Sequence, residues 1–283
     1  MIAFLGMGHL GANFVKAMLK KGTDVHVWNR SASKALALEA DGAKAFDNAA
    51  DAVKGATAIH LTLKDDAAVD EVLKHASAGF EPGVIIIDHT TTSAEGAASR
   101  TEQWKNKGYT YIHAPVFMGP QNALESTGIM MVSGDQELIA RIEPDLSKMT
   151  GKLLNFGTQT NKAAGMKLLG NLFLIAITGG LADMLGLSKA LDIPTDDIFT
   201  LLESWNPGTM IPARLKKMTS NTFDQPTWEL SMARKDASLM MSAAVHGGKQ
   251  LAALPAIANE MDRYIAKGHG HEDWTVIGKE AQE

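Results

Sequence analysis

Along the first half of the chain, short apolar runs alternate with stretches whose apolar positions recur every three to four residues. "IAFLG", "DVHVWN", "AIHLTL" and "GVIIIDHT" read as strands, and "LGANFVKAMLKKG" and "DAAVDEVLKHAS" as amphipathic helices between them. Strands alternating with helices predict a parallel sheet with right-handed crossovers. "YTYIHAP" and "IMMVSGD" are expected to extend that sheet, and "QELIARIEPDLSKM" to add a helix, closing the unit near Phe156. From about Thr158 the pattern is helical to the end, broken at "DIPTDD", "NPGTMIP" and "NTFDQPTW", where Asp192, Asp196 and Asp224 suit turns or caps. The prediction is an α/β unit with a doubly wound parallel sheet over residues 1–157 and an all-helical domain over 158–283.

Composition narrows the class of molecule. A chain of 283 residues can bury a sizeable core and divide into two domains. A net charge of -5, with its cations scattered, argues against a nucleic-acid surface. The lack of cysteine excludes disulfides, thiol catalysis and Cys-based metal sites, and suits the cytoplasm. The opening "MIAFLGMG" is too short and glycine-rich for a signal peptide. Only fifteen uncharged residues separate Lys167 from Asp183, short of a membrane span. The nine histidines show no ligand spacing, and His269 and His271 read as a solvated turn, so no metal site is expected.

The chemistry begins in "FLGMGHLG", a G-x-G-x-x-G that follows the first strand and opens the first helix. Gly6 permits the tight turn, Gly8 lets backbone approach a pyrophosphate, and Gly11 allows close packing of helix on strand. Met7, His9 and Leu10 complete the loop, and the helix N-terminus faces the anion. These features predict a Rossmann-type dinucleotide site. The second strand ends in "VWNRSASK", where an NAD site usually carries Asp or Glu. Asn29, Arg30, Ser31 and Lys34 instead form a cationic, hydroxyl-bearing cluster suited to the 2′-phosphate of NADP. Thr90 and Thr91 follow the fourth of these strands, at its carboxyl end, where ligands of open α/β sheets bind, and Leu63 ends the strand before it.

The most apolar run, "NKAAGMKLLGNLFLIAITGGLADMLGL", carries Lys167 near its start with Asn171 one turn later. An inward-facing lysine needs a partner, a depressed pKa or a chemical role, because desolvating an ammonium is costly. Hydride transfer to a carbonyl puts charge on oxygen, which a nearby ammonium both stabilises and protonates. Thr178 returns to nearly the same helical angle, extending a polar stripe.

With these residues in place, the chain resembles the β-hydroxyacid dehydrogenase family, which includes 3-hydroxyisobutyrate dehydrogenase and glyoxylate/succinic semialdehyde reductases. "FLGMGHLGANFVKAMLKKG" is similar to its opening, "IIIDHTTTS" to its D-x-S-T segment and "HAPVFMG" to D-A-P-V-S-G-G; "GMKLLGN" and "MARKDASLM" are similar to its lysine and late K-D-L motifs. The resemblance implies a fold like that of 6-phosphogluconate dehydrogenase. It further implies catalysis by Lys167, substrate positioning by Asn171, and a Lys235 that closes over the nicotinamide side, with Asp236 as a cap or ion-pair partner. The departures are specific. Phe117 and Met118 stand where the family's serine and first glycine contact a carboxylate, leaving only Gly119, and Gly170 replaces the first asparagine of an N-N pair. With Trp228, Phe117 and Met118 are expected to wall the substrate pocket. The expected activity is NADPH-dependent reduction of a small aldehyde or ketone, or oxidation of a 3-hydroxy acid, by a homodimer or homotetramer. An imine reductase, a class that often shares the "VWNR" strand end, and a non-catalytic NADP-binding scaffold are the alternatives.

Overall fold

The computed structural model describes residues 1–282, which form two compact units, 1–171 and 172–282. In the first, β1 (Ile2–Leu5), α1 (His9–Lys20), β2 (Val25–Trp28), α2 (Ala32–Leu36) and β3 (Lys44–Ala45) form one half of the winding. The other half comprises α3 (Ala49–Val53), β4 (Ala58–Leu61), α4 (Asp66–Ala76), β5 (Ile85–Asp88), α5 (Ala94–Asn106) and β6 (Thr110–His113). The six strands are all parallel, in the order β3-β2-β1-β4-β5-β6. The order reverses beside β1, so the glycine loop after β1 sits at the switch point where α/β sheets bind ligands.

Period-two alternation builds two cores from one sheet. Phe4 and Ile87 join Phe14, Val27 and Leu146 on one face. Their neighbours Leu5 and Ile86 join Ile59, Leu73 and Trp104 on the other. Burial on both faces is why these strands read as unbroken apolar runs.

"IMMVSGD" does not extend this sheet. It supplies β8 (Ile129–Val132), the centre of a second sheet, between β7 (Val116–Phe117) and β9 (Lys152–Asn155). The pairing stops where β5 ends: Ala114 N–H still reaches the Asp88 carbonyl at 2.7 Å, but Thr90 N–H turns to Asp88 Oδ1 at 2.9 Å and the Thr90 carbonyl faces His113 Nε2 at 2.8 Å, while the Pro115 carbonyl, on the other side of the strand, accepts from Met131 N–H at 2.9 Å. The helices α6 (Pro120–Glu125) and α7 (Gln136–Leu146) connect these strands.

The long helix α8 (Lys162–Ala190) belongs to both units. Its first turns, to Asn171, are part of the first unit. Ala163 and Ala164 are fully buried, and Ala163 N–H donates to Ser133 Oγ at 2.9 Å, which ties the helix start to the end of β8. Over its 29 residues α8 is long and apolar enough, by length and composition, to cross a membrane, with mean hydropathy 1.7 in its best window. The fifteen-residue stretch read from the sequence stopped at Lys167 and Asp183, and the helix runs beyond both. Asp183 is engaged within the protein, where its carboxylate accepts from the amides of Ala252, Ala253 and Leu254, at 2.6, 2.9 and 2.7 Å. These amides open α12 (Leu254–Tyr264), and a carboxylate at a helix N-terminus is favourable.

The second unit also contains α9 (Thr195–Ser204), α10 (Ile211–Thr219) and α11 (Leu230–His246). Leu230, Ala233 and Ala237 of α11 pack on Ala258, Met261 and Tyr264 of α12. Asp192, read as a turn residue, takes a left-handed φ of 56°. Along α8 many large apolar side chains face outward, Leu172 at 65 % and Ile175 at 72 % exposure among them.

Candidate functional site

The glycine loop is shaped by what cannot fit. Gly6 has φ 103°, and a Cβ there would lie 2.2 Å from the Thr62 carbonyl oxygen. At Gly11 a Cβ would lie 2.0 Å from the Gly6 carbonyl oxygen and 2.4 Å from Thr62 Oγ1. Thr62 fixes the turn by donating its hydroxyl to that same Gly6 carbonyl at 3.0 Å. Gly8 is different: a Cβ there would meet no protein atom within 4 Å, and its φ of -72° is open to any residue. Its missing side chain serves no packing need, so the space it leaves is room for a ligand. Gly8 is also the N-cap of α1, which carries no acidic residue in its first turn and no side-chain cap. Its leading N–H groups are therefore free to hold an anion. The loop fits a dinucleotide pyrophosphate.

Gly8, His9, Leu10 and Gly11 line a cavity of about 330 Å³ together with Thr62, Leu63, Lys64, His89, Thr90, Thr91, Val116, Met118 and Lys167. The cavity thus joins the predicted loop to the predicted lysine. Thr90 holds backbone in place, its hydroxyl accepting from Leu63 N–H at 3.0 Å, while Thr91 is exposed. Met7 turns its side chain into the core, and its N–H donates to Asn29 Oδ1 at 2.9 Å. Asn29 also donates to the Ser31 carbonyl at 3.0 Å, so its amide braces the glycine loop against the end of β2. Arg30, Ser31 and Lys34 are exposed; neither cation forms an ion pair among the described residues.

Lys167 is half-buried and makes no ion pair or hydrogen bond among the described residues. Its Nζ lies 4.0 Å from the centre of the Phe117 ring. Burial pushes its pKa below the ordinary lysine value. Asn171, one turn along, is half-buried, and its amide makes no hydrogen bond among the described residues. Thr178 does not continue a reactive stripe, since its hydroxyl donates back to the Leu174 carbonyl at 2.8 Å. Phe117 and Gly119 are not among the residues lining the cavity. Phe117 lies instead against Gly170, and Gly119 caps α6 with its N–H held by Asn122 Oδ1 at 2.8 Å.

Lys235 and Trp228 belong to the second unit. Lys235 pairs with Asp236 at 2.8 Å, and Trp228 packs edge-on against Trp274 with ring centres 5.5 Å apart. No group of acidic or histidine side chains that could hold a metal occurs among the described residues.

Sequence reasoning missed a buried histidine set under the cavity. His89 Nδ1 faces the Ala114 carbonyl at 2.8 Å and so carries the proton; its Nε2 then accepts from His60 Nδ1–H at 2.9 Å. Burial holds His89 down to about 4, and lowers His60 and His113 as well. The set is therefore neutral near pH 7. The signal available was positional: in the parallel register Leu61 pairs with Asp88 and Asp88 with His113, which gathers these strand ends.

A glycine loop at the switch point, an uncapped helix N-terminus and a cavity between them define a dinucleotide-binding domain of Rossmann type. The sequence places it further. Residues 1–157 match the family described as the NAD binding domain of 6-phosphogluconate dehydrogenase, and the chain belongs to that family, within the β-hydroxyacid dehydrogenase-like NAD(P)-binding oxidoreductases. Among curated relatives, the "Probable 3-hydroxyisobutyrate dehydrogenase" of Mycobacterium tuberculosis is 25 % identical, covering 98 % of this chain and 96 % of that one. The 3-sulfolactaldehyde reductase of Escherichia coli is also 25 % identical, over 98 % and 94 %. An imine reductase from Myxococcus stipitatus, solved in complex with NADP+, superposes with a TM-score of 0.91 at 20 % identity, over 98 % of both chains. That likeness establishes the shared fold.

Proposed function

We propose that this chain is an NADPH-dependent reductase of small, uncharged carbonyl compounds, with Lys167 as the proton donor. One observation carries the reading: the ammonium of Lys167 and the glycine loop line the same cavity. When bound, the nicotinamide supplies the hydride to the carbonyl carbon. Lys167 faces the oxygen on which charge develops, lowers the cost of that charge and gives up its proton to form the alcohol. The amine then takes a proton from solvent. Its lowered pKa eases release of the proton to the developing alkoxide, and in the reverse direction makes more of the lysine available as the neutral base. Asn171 is placed to orient the carbonyl oxygen through its free amide.

The preference for NADPH rests on the end of β2, where Arg30, Ser31 and Lys34 are exposed and Asn29 stands in place of an acid. The preference for uncharged substrates rests on Met118, which lines the cavity and offers no hydrogen bond to a carboxylate. The outward apolar face of α8 supports burial against a second copy of the chain, and the lack of cysteine fits a cytoplasmic location. NADPH consumption across semialdehydes, glyoxylate, plain aldehydes and cyclic imines tests the reading. Plain aldehydes are expected to show the highest specificity constants. Turnover confined to cyclic imines would transfer the assignment to imine reduction, and consumption with none would leave an NADP-binding module.

A further inference from the structure

Helix α8 holds five glycines, at positions 165, 170, 179, 180 and 186, and each weakens the helix relative to alanine. At four of them an added Cβ would meet nothing closer than 3.5 Å. At Gly170 it would lie 2.2 Å from Phe117 Cζ and within 3.0 Å of both Cε atoms. The missing side chain at 170 is therefore the space that the ring occupies. The same ring carries the ammonium of Lys167 at 4.0 Å from its centre. Phe117 cannot drift from this place easily, because its backbone is paired in β7, opposite Ile129. Gly128, at φ 80°, accommodates that strand closely: a Cβ there would lie 2.9 Å from the Phe117 carbonyl oxygen.

We propose that Phe117 is a positioning residue for Lys167, admitted by Gly170, its ring face holding the ammonium at the cavity wall in place of a charged or hydrogen-bonding partner. The inference rests on the reading of Lys167 as proton donor. A carboxylate partner would fix the ammonium more strongly but would compete for the proton that the reaction needs. A ring favours the cation without being able to accept that proton. It also offsets part of the desolvation that lowers the lysine pKa, so the ring helps keep the amine protonated for reduction. Because Phe117 lies outside the cavity lining, it acts on the lysine and not on the substrate.

The test uses the full chain with NADPH and the best aldehyde of the substrate screen. Phe117→Leu keeps an apolar side chain but removes the ring face. Turnover at neutral pH should fall about three- to thirtyfold, the range expected for a cation–π contact at a partly buried site. The alkaline limb of the kcat profile should move to lower pH by about half a unit or more. Phe117→Tyr should keep both the limb and the rate. Gly170→Ala should displace the ring and reproduce the Phe117→Leu profile, yet add little in the double variant. NADPH affinity should stay within about twofold throughout. An unmoved limb in Phe117→Leu, or equal impairment of the Leu and Tyr variants, would overturn the proposal. Full activity in Lys167→Met would instead overturn the reading beneath it.

Discussion

In the glycine loop shape is set by backbone: Gly6 at φ 103°, Gly11 with no room for a Cβ, and Thr62 pinning the turn through a carbonyl. Around Lys167, at the other side of the same cavity, shape is set by side chains: a lysine, a ring and the gap at Gly170 that lets them meet. The first arrangement depends on steric exclusion and tolerates almost nothing. The second depends on contacts worth about 0.5 to 2 kcal/mol and can be tuned. A dinucleotide-binding loop can thus stay fixed while the reacting corner is rebuilt for other substrates.

The sharpest way to break this contrast is inside the loop. Gly11→Ala puts a methyl group 2.0 Å from the Gly6 carbonyl oxygen, and overpacking of that kind costs about 3 kcal/mol of folding stability, read as a lower urea midpoint, with NADPH affinity falling as the loop distorts. Gly8→Ala should leave the unfolding midpoint untouched and still weaken NADPH, since its Cβ enters only the ligand's space. Fluorescence titration and urea unfolding of the pair separate the two. Equal loss of stability in both variants would mean that Gly8, too, is a packing glycine.

Acid should act next most strongly, through the floor of the cavity. His89 is held to about 4 in the fold against 6.5 in the unfolded chain. Between those values the unfolded chain takes up the proton and the folded one does not. Stability therefore falls as pH drops through that window, by up to about 1.4 kcal/mol per pH unit, and this loss stops growing below about 4. His60 and His113 act in the same direction. The urea midpoint should be lower at pH 5 than at pH 7, with a flatter dependence in His89→Gln; a pH-independent midpoint would contradict the buried neutral set.

A smaller effect is expected at the cofactor's outer end. Arg30→Ala removes a charge-assisted contact worth about 1.5 to 3 kcal/mol, weakening NADPH about tenfold or more while sparing NADH. Matched losses for both cofactors would remove the basis for NADPH preference. Smallest is Asn29→Ala. It deletes the 2.9 Å brace to Met7 N–H, worth about 1 kcal/mol, and should weaken NADPH and NADH alike by roughly fivefold. A loss confined to NADPH would make Asn29 a phosphate ligand after all.

Backbone-determined features were the legible ones. The glycine spacing and the parallel strands carry local signatures, and the cavity that the glycine loop lines also takes in Lys167. The second sheet was not legible, because β7 is two residues long and the end of the first sheet depends on Thr90 backbone groups that turn to the Asp88 and His113 side chains. Phe117 read as a substrate wall because sequence gives its type but not its direction. Only the packing against Gly170 turns it behind the lysine. The histidine set was invisible because its members are 24 or more residues apart and meet only through strand register.

The central claim is that Lys167 gives up the proton, and Lys167→Met measures it most directly. Methionine fills a similar volume on an apolar helix face and removes a costly charge, so folding and NADPH affinity should be retained. The turnover number should fall by about two to four orders of magnitude on every accepted carbonyl substrate. Retention of most of the wild-type turnover, with NADPH bound as before, would contradict the account and leave Lys167 as a structural residue of α8.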